Sequence, residues 1–177
     1  MYFMAVVLPD NLDLKIRAYK KLMQERYGCK VGLKSPAHIT LVPPFWMPEE
    51  KEEDLKKEMI ALALDLAAFS IATSDFSAFR PRTIFVAVKE SDQLKLLKKT
   101  TDACFGQNNF GIKRENRPFH PHITIATRDL HKKDFAASWP LFENEHFRED
   151  FEVSSLSLLK HNGKTWDVVF EAPLSKP

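Results

Sequence analysis

The chain carries Pro36-Ala37-His38-Ile39-Thr40-Leu41 and repeats the centre of this stretch 84 residues later as Pro121-His122-Ile123-Thr124-Ile125. Successive side chains of an extended strand point to opposite faces, so the histidine and threonine of each copy share one face and the aliphatic residues share the other. Such alternation is typical of a half-buried strand. Each copy therefore predicts a strand that turns its aliphatic residues toward a core and its His and Thr toward solvent or a ligand.

Two histidines that face one shared cleft form a matched acid and base. The ordinary pKa of imidazole is about 6.5, so one ring can accept a proton near neutral pH while the other donates one. A phosphodiester reaction needs both transfers, together with donors for the charge on the non-bridging oxygens, which the threonine hydroxyls can supply. No metal or other cofactor is expected, because each copy offers one nitrogen ligand rather than a cluster of His, Cys and carboxylate side chains.

The residues around both copies resemble the two-histidine phosphoesterases, a family that includes 2′-5′ RNA ligases and cyclic phosphodiesterases. The stretch that looks like the second family motif is Arg117-Pro118-Phe119-His120-Pro121-His122-Ile123-Thr124-Ile125-Ala126, and Ala37-His38-Ile39-Thr40-Leu41 looks like the first. Between them, Pro81-Arg82-Thr83-Ile84-Phe85 is similar to a strand of the family. The resemblance implies an α+β fold of two pseudo-symmetric lobes, each with an antiparallel sheet and helices on its outer face. The active-site cleft is expected between the lobes, and residues 1–177 are expected to form a single bilobed domain.

The sequence departs from the family pattern after each motif. Val42-Pro43-Pro44-Phe45-Trp46 follows the first motif, where the family often has Phe-Leu-Gly. After the second motif Thr127 separates Ala126 from Arg128, whereas the family places an arginine directly after the alanine. A shift of one residue moves a side chain to the other face of a strand. We therefore expect Arg128 to face away from the phosphate unless a bulge restores its direction.

Length and charge favour a globular protein with a small nucleic-acid substrate. The 177 residues are 44% apolar, which is enough for a hydrophobic core. The 26 lysines and arginines nearly balance 24 aspartates and glutamates, so no broad basic surface for long duplexes is predicted. The expected partner is an RNA end or a nucleotide with a cyclic or 2′-5′ phosphodiester. Residues 1–8 are too short for a signal peptide or a membrane span, so a cytoplasmic protein without a membrane partner is expected. The protein is also expected to be a monomer.

Hydrophobic spacing predicts the remaining elements. Apolar stripes predict helices along residues 12–23 and 55–66, and a third helix that begins at a Ser91 or Asp92 cap. A short helix is predicted around residues 132–138. Strands are predicted at residues 2–8, 69–79, 83–88, 151–159 and 165–170, in addition to the two motif strands.

The four residues of the two His-x-Thr copies are the candidate catalytic groups: His38, Thr40, His122 and Thr124. A lone histidine on a strand is more often structural, but a matched pair with matched threonines favours function. Thr40 and Thr124 could also be ordinary β-branched strand residues.

Four further residues are candidate substrate-binding groups: Arg82, Phe85, Arg117 and Trp166. The two arginines could hold a phosphate through paired hydrogen bonds, or they could be solvated loop charges. The two aromatic side chains could stack a nucleobase, although aromatic residues of strands usually belong to the core.

The resemblance and the two histidines together predict a phosphoesterase that opens a 2′,3′-cyclic phosphate to a 2′-phosphate. One histidine would take a proton from water and the other would protonate the leaving 3′ oxygen, and the symmetry of the motifs leaves the two roles unassigned. A 2′-5′ RNA ligase or a 2′-5′ oligonucleotide phosphodiesterase is an alternative within the family. A binding module that grips an RNA end or nucleotide without turnover is an alternative of another class, and so is a metal-dependent hydrolase.

Overall fold

Eight strands and four α-helices form the part of the chain that the computed structural model describes, which is residues 1–106, 110–113 and 115–176. The strands are β1 Tyr2–Val7, β2 His38–Phe45, β3 Phe69–Phe79, β4 Thr83–Val88, β5 His122–Ala126, β6 Asp150–Val153, β7 Ser155–His161 and β8 Trp166–Pro173. The helices are α1 Asp10–Tyr27, α2 Glu52–Leu64, α3 Asp92–Phe105 and α4 Lys132–Ser138. Three short 3₁₀ helices lie at Val31–Lys34, Glu49–Lys51 and Trp139–Leu141.

The eight strands form one antiparallel sheet with the order β6-β3-β4-β5-β2-β1-β7-β8. The two central strands, β5 and β2, carry the His-x-Thr copies and meet with Ile39 opposite Ile123. Three further strands follow on each side of this junction. The predicted α+β class is confirmed, and the two expected sheets are the two halves of one continuous sheet.

The sheet is curled, and its two far ends meet. Ser175, just beyond β8, accepts a hydrogen bond from the amide of Ala68 at 2.8 Å and donates its own amide to the carbonyl of Leu66 at 2.9 Å. Ala68 directly precedes β3, which belongs to the other half of the sheet. The helices and the curled sheet enclose one large cluster of buried side chains, in which Ile39 and Ile123 are fully buried.

Local chemistry explains where the helices begin and end. Helix α1 has Asp10 and Asp13 in its first turn, where the helix dipole favours negative charge. It ends at Gly28, whose φ of 70° is the left-handed conformation that glycine adopts most readily. Helix α3 begins after Ser91, whose hydroxyl accepts the amide proton of Leu94, so Ser91 is the cap. Among the described residues, no α-helix combines the length and hydrophobicity that crossing a bilayer requires.

One predicted strand is two strands in the structure. The predicted strand at residues 151–159 breaks at Ser154, and its halves pair with different partners: β6 with β3 and β7 with β1. The chain thus passes from one half of the sheet to the other within one residue. Phe151, Val153 and Leu156 are all buried, so the hydrophobic pattern gives little sign of the break. The predicted strands at 69–79 and 83–88 and the helix at 132–138 are confirmed.

We predict that the β5–β2 junction is a major source of stability. Ile39→Ala should lower the free energy of unfolding by about 2–5 kcal/mol, because it leaves a cavity in a closely packed core. Ile60→Ala makes the same change on α2 at a position that is 42% exposed, and it should cost less than about 1 kcal/mol. Urea unfolding of both variants measures the two values. Equal losses would contradict the central role of this junction.

Candidate active site

Two adjoining cavities lie over the junction of β5 and β2. His38 lines the smaller cavity, of about 280 Å³, and His122 lines the larger, of about 630 Å³. The residues that line both are Thr40, Thr124, Thr127 and Arg128. Because these shared residues mark the boundary, the two cavities are halves of one cleft, with one histidine in each half.

Antiparallel pairing brings the two motifs face to face. Ile39 and Ile123 lie opposite each other and point into the core, so their neighbours on both strands point into the cleft. Continuing this register by one residue in each direction places the histidine of one copy across from the threonine of the other. The structure therefore brings together the four residues that the sequence singles out.

The backbone holds both imidazole rings in the same way. Nδ1 of His38 lies 2.8 Å from the carbonyl oxygen of Pro36, and Nδ1 of His122 lies 2.6 Å from the carbonyl oxygen of His120. A carbonyl oxygen can only accept a hydrogen bond, so Nδ1 carries the proton in each ring. In the neutral form Nε2 of each ring is then left as an acceptor, ready to take a proton from a ligand or water.

A phenylalanine from the neighbouring strand supports each histidine. The Phe3 ring, on β1, lies 4.8 Å from the His38 ring between centroids, and the Phe85 ring, on β4, lies 5.0 Å from that of His122. Both phenylalanines are buried. The β1-α1-β2 and β4-α3-β5 segments thus build the same arrangement twice, each with a backbone carbonyl and an aromatic ring that fix one imidazole.

Burial lowers the basicity of both histidines. Desolvation is the main reason that the pKa of His38 falls to about 4, and the positive charge of Lys20 and a charge on His122 lower it further. Desolvation also lowers the pKa of His122, with a smaller contribution from His120, while its backbone hydrogen bond acts in the opposite direction. At neutral pH both rings of the free protein are therefore mainly uncharged.

The hydroxyls of the cleft include a pair that the sequence analysis missed. Thr40 and Thr124 line both cavities, as the strand alternation predicts. Thr127 also lines both, and its hydroxyl lies 3.2 Å from that of Thr83, on β4. Thr83 and Thr127 were not candidates, because strict alternation from Thr124 places residue 127 on the opposite face.

A bulge in β5 changes the direction of the residues that follow. Ile84 pairs with Ala126 but Phe85 pairs with Thr124, so Ile125 is an extra residue in the ladder. Ile125 and Ala126 are both buried, and the alternation shifts by one after them. Arg128 consequently lines both halves of the cleft. The bulge that the sequence analysis named as the condition for a restored direction is therefore present, and Arg128 faces the cleft.

The other two arginines lie in different surroundings. Arg117 is exposed and lines the larger cavity, where its Nε and Nη2 donate to the carboxylate of Glu115 at 3.0 and 2.8 Å. A phosphate would have to compete with that carboxylate for the guanidinium. Arg82 is exposed in the turn between β3 and β4 and is not among the described residues that line the cleft.

Some aromatic side chains of the site are buried against a histidine, and others are accessible to a ligand. Phe85 is 6% exposed and packs against His122, so its ring is not open to a base. Phe79 is 44% exposed, lines the larger cavity and contacts the His122 ring at 5.1 Å. Trp166 is half-buried, lines the smaller cavity and contacts Phe3 and His161. The sequence offered no reason to select Phe79, because it lies at the end of β3 and outside the two motifs.

Among the described residues, no group of three or more His, Cys, Asp or Glu side chains is arranged to hold a metal ion. The polar lining of the cleft consists mainly of imidazoles, hydroxyls, lysines and arginines. This donor set fits an anionic ligand better than a divalent cation.

Comparison with known proteins identifies the family of this chain. A family model of the 2′-5′ RNA ligase superfamily matches residues 8–165. The chain belongs to this superfamily. Relatives of this superfamily member have phosphoesterase and phosphodiesterase names.

A Geobacillus thermodenitrificans protein with a provisional phosphoesterase name is 30% identical over 159 residues, which are 86% of either chain. An RNA 2′,3′-cyclic phosphodiesterase of Bacillus subtilis is 25% identical over 142 residues, which are 78% of this chain and 76% of that protein. The fold is similar to that of E. coli LigT in its crystal structure complexed with 3′-AMP. That comparison has a TM-score of 0.64 at 18% identity and covers 99% of this chain and 98% of LigT.

We predict that His38 titrates well below an ordinary histidine. NMR of the ¹⁵N-labelled protein should show a midpoint near pH 4 for His38, against about 6.5 for a histidine in an unfolded chain. Because the folded pKa lies below the unfolded value, the protein should lose stability as the pH falls from about 6.5 toward 4. The neutral rings of His38 and His122 should carry their proton on Nδ1. A proton on Nε2 would contradict the described hydrogen bonds, and a midpoint above 6.5 would contradict the desolvation of the buried ring.

Proposed function

We propose that this protein is a metal-independent phosphoesterase that opens a 2′,3′-cyclic phosphate on an RNA end or nucleotide to a 2′-phosphate. The observation that carries the proposal is the pair of histidines, each with Nδ1 fixed by the backbone and Nε2 left as an acceptor, in the two halves of one cleft. Its membership of the 2′-5′ RNA ligase superfamily supports the reaction class. The similarity in sequence to an RNA 2′,3′-cyclic phosphodiesterase supports the substrate class. The similarity in fold to LigT, whose crystal structure is complexed with 3′-AMP, also supports it.

The cleft provides the groups that such a hydrolysis needs. One Nε2 takes a proton from water as the water oxygen attacks phosphorus, and the bond from phosphorus to the 3′ oxygen breaks. The other histidine gives its proton to the leaving 3′ oxygen, so the phosphate stays on the 2′ oxygen. Thr40 and Thr124 donate to the non-bridging oxygens, and the Arg128 guanidinium balances their negative charge.

The proton on the acidic histidine depends on the substrate. Both pKa values are lowered in the free protein, so little imidazolium is present at neutral pH. An anionic phosphate beside the ring favours the protonated form and raises its pKa. Substrate binding therefore prepares the general acid, while the ring with the lower pKa remains neutral and serves as the base.

We predict that both histidines are essential and that no metal is required. With a nucleoside 2′,3′-cyclic phosphate and EDTA, wild type should yield the 2′-phosphate, and His38→Ala and His122→Ala should each lose at least ~100-fold in kcat/KM. His131→Ala removes an exposed imidazole outside the cleft and should leave turnover unchanged. Loss of activity in EDTA would favour a metal-dependent hydrolase instead.

We predict a bell-shaped pH dependence of kcat/KM with its maximum between about pH 4 and pH 6.5. Activity needs one neutral and one protonated ring, and both pKa values of the free protein lie at or below the ordinary imidazole value. The two apparent pKa values belong to the pair of rings. The alkaline limb of kcat should lie at higher pH, because bound phosphate stabilises the imidazolium. A flat profile between pH 5 and pH 9 would exclude the two-histidine mechanism.

Ligation is the second candidate function, favoured by the superfamily to which the chain belongs. The same acid and base can serve with a 5′-hydroxyl in place of water as the attacking group: one ring takes the proton of the 5′-hydroxyl, the bond from phosphorus to the 3′ oxygen breaks, and the other ring protonates the 3′ oxygen. Incubating a 2′,3′-cyclic phosphate end with a 5′-hydroxyl end tests for a 2′-5′ linkage. Nucleotide binding without any turnover would point instead to a binding module.

A further inference from the structure

A lysine lies among aliphatic side chains on the buried face of α1. Lys20 is 4% exposed, and the same face buries Leu12, Ile16 and Met23. The Lys20 ammonium donates a hydrogen bond to the carbonyl oxygen of Ser35 at 3.1 Å. Within the described part of the chain, Lys20 forms no ion pair with a carboxylate.

The described residues compensate the positive charge of Lys20 only in part. An ammonium group has three donors, and a single carbonyl satisfies one of them. Burial disfavours the charged form and lowers the pKa of Lys20 to about 8, although the carboxylate of Asp13 opposes this effect. A buried charge without a partner is costly, so an anion that contacts this ammonium gains more than it would at an exposed lysine.

Lys20 is placed to meet an anion in the cleft. It lines the smaller cavity together with His38, Thr40 and Thr124. Its side chain lies next to Gly32, since a Cβ atom added at Gly32 would be 3.6 Å from Cγ of Lys20. The positive charge of Lys20 contributes to the low pKa of His38, so the two groups interact across the cavity wall.

The other half of the molecule contains a buried lysine that is compensated. Lys98, on α3, is 8% exposed and lines the larger cavity with His122. Its ammonium pairs with the carboxylate of Asp102, one helical turn away, at 2.5 Å. The two strand-helix-strand segments therefore each place a lysine beside the cleft, and Lys20 is the one that forms no ion pair within the described residues.

We propose that Lys20 is a further substrate-binding residue, whose ammonium takes an oxygen of the phosphate on the His38 side of the cleft as its missing counter-charge. The inference rests on the proposed function and identifies the ligand chemistry that this half of the cleft recognises, a phosphate monoester or diester of a nucleotide. A 2′-phosphate product, with two negative charges near neutral pH, gains more from Lys20 than a cyclic phosphate with one.

Binding of adenosine 2′-monophosphate by calorimetry tests the proposal. Lys20→Met keeps the length of the side chain and removes the charge, and it should raise the Kd at pH 7.5 by ~10–100-fold, the range for a hydrogen bond to a charged group. Lys21→Met makes the same change at the exposed neighbouring position and should leave the Kd unchanged. The melting temperature of Lys20→Met should equal or exceed that of wild type, because the variant removes an unpaired buried charge.

A pH series provides a readout that a structural role would not produce. The affinity of wild type should fall as the pH rises from 7.5 to 9.5, because free Lys20 loses its proton with a pKa of about 8. This fall should be smaller in Lys20→Met. The comparison with the variant corrects for the other titratable and charged groups near Lys20 or its cavity, which are Asp13, Arg17, Lys34, His38, Arg128, His161 and the α-amino group of Met1.

The outcomes separate this inference from the proposed function. If wild type neither binds nor turns over the nucleotides, the proposed function is wrong and the inference is wrong with it. If wild type binds and Lys20→Met binds equally well with the same pH dependence, the role of Lys20 alone is overturned. A melting temperature of Lys20→Met well below wild type would show that the fold needs the charge, and would also overturn the proposal.

Discussion

The antiparallel pairing of β2 with β5 is the constraint on which the site depends. It joins the two halves of the sheet at Ile39 and Ile123, and burial of these two side chains fixes the direction of their neighbours. A slip of one residue on either strand would turn the histidine and threonine of that copy into the core. Stability and site geometry therefore depend on the same register, so the residues that hold the fold together also aim the reactive groups.

The near-symmetry of the cleft comes from two strand-helix-strand segments with different sequences. Each fixes its imidazole with a main-chain carbonyl and a phenylalanine from the adjacent strand. The differences lie in the charges beside the rings. Lys98 forms an ion pair with Asp102, whereas Lys20 forms no ion pair within the described residues. The charge of Lys20 contributes to the low pKa of His38. Two similar scaffolds thus surround their histidines with different charges.

Local sequence signals predicted the parts of the structure that depend on local chemistry. The alternation around each His-x-Thr copy, the Ser91 cap and the strands on either side of residues 80–82 could all be inferred from neighbouring residues. The break at Ser154 and the bulge at Ile125 depend on which strand lies alongside, so the sequence offered little sign of the break and raised the bulge only as a condition for the direction of Arg128. Lys20 lies on the buried face of α1 with Leu12, Ile16 and Met23. A charged residue at such a position is unusual, so the sequence contained a signal for a functional role of Lys20.

The orientation of both catalytic candidates by main-chain carbonyls has a consequence for how the site can evolve. Every residue type has a carbonyl oxygen, so residues 36 and 120 can be replaced without removing the acceptor that fixes Nδ1, provided that the backbone keeps its path. If a carboxylate oriented the histidine instead, the tautomer would depend on an Asp or Glu side chain at that one position. Residues 36 and 120 can therefore change in related chains while both histidine rings of this cleft keep their orientation.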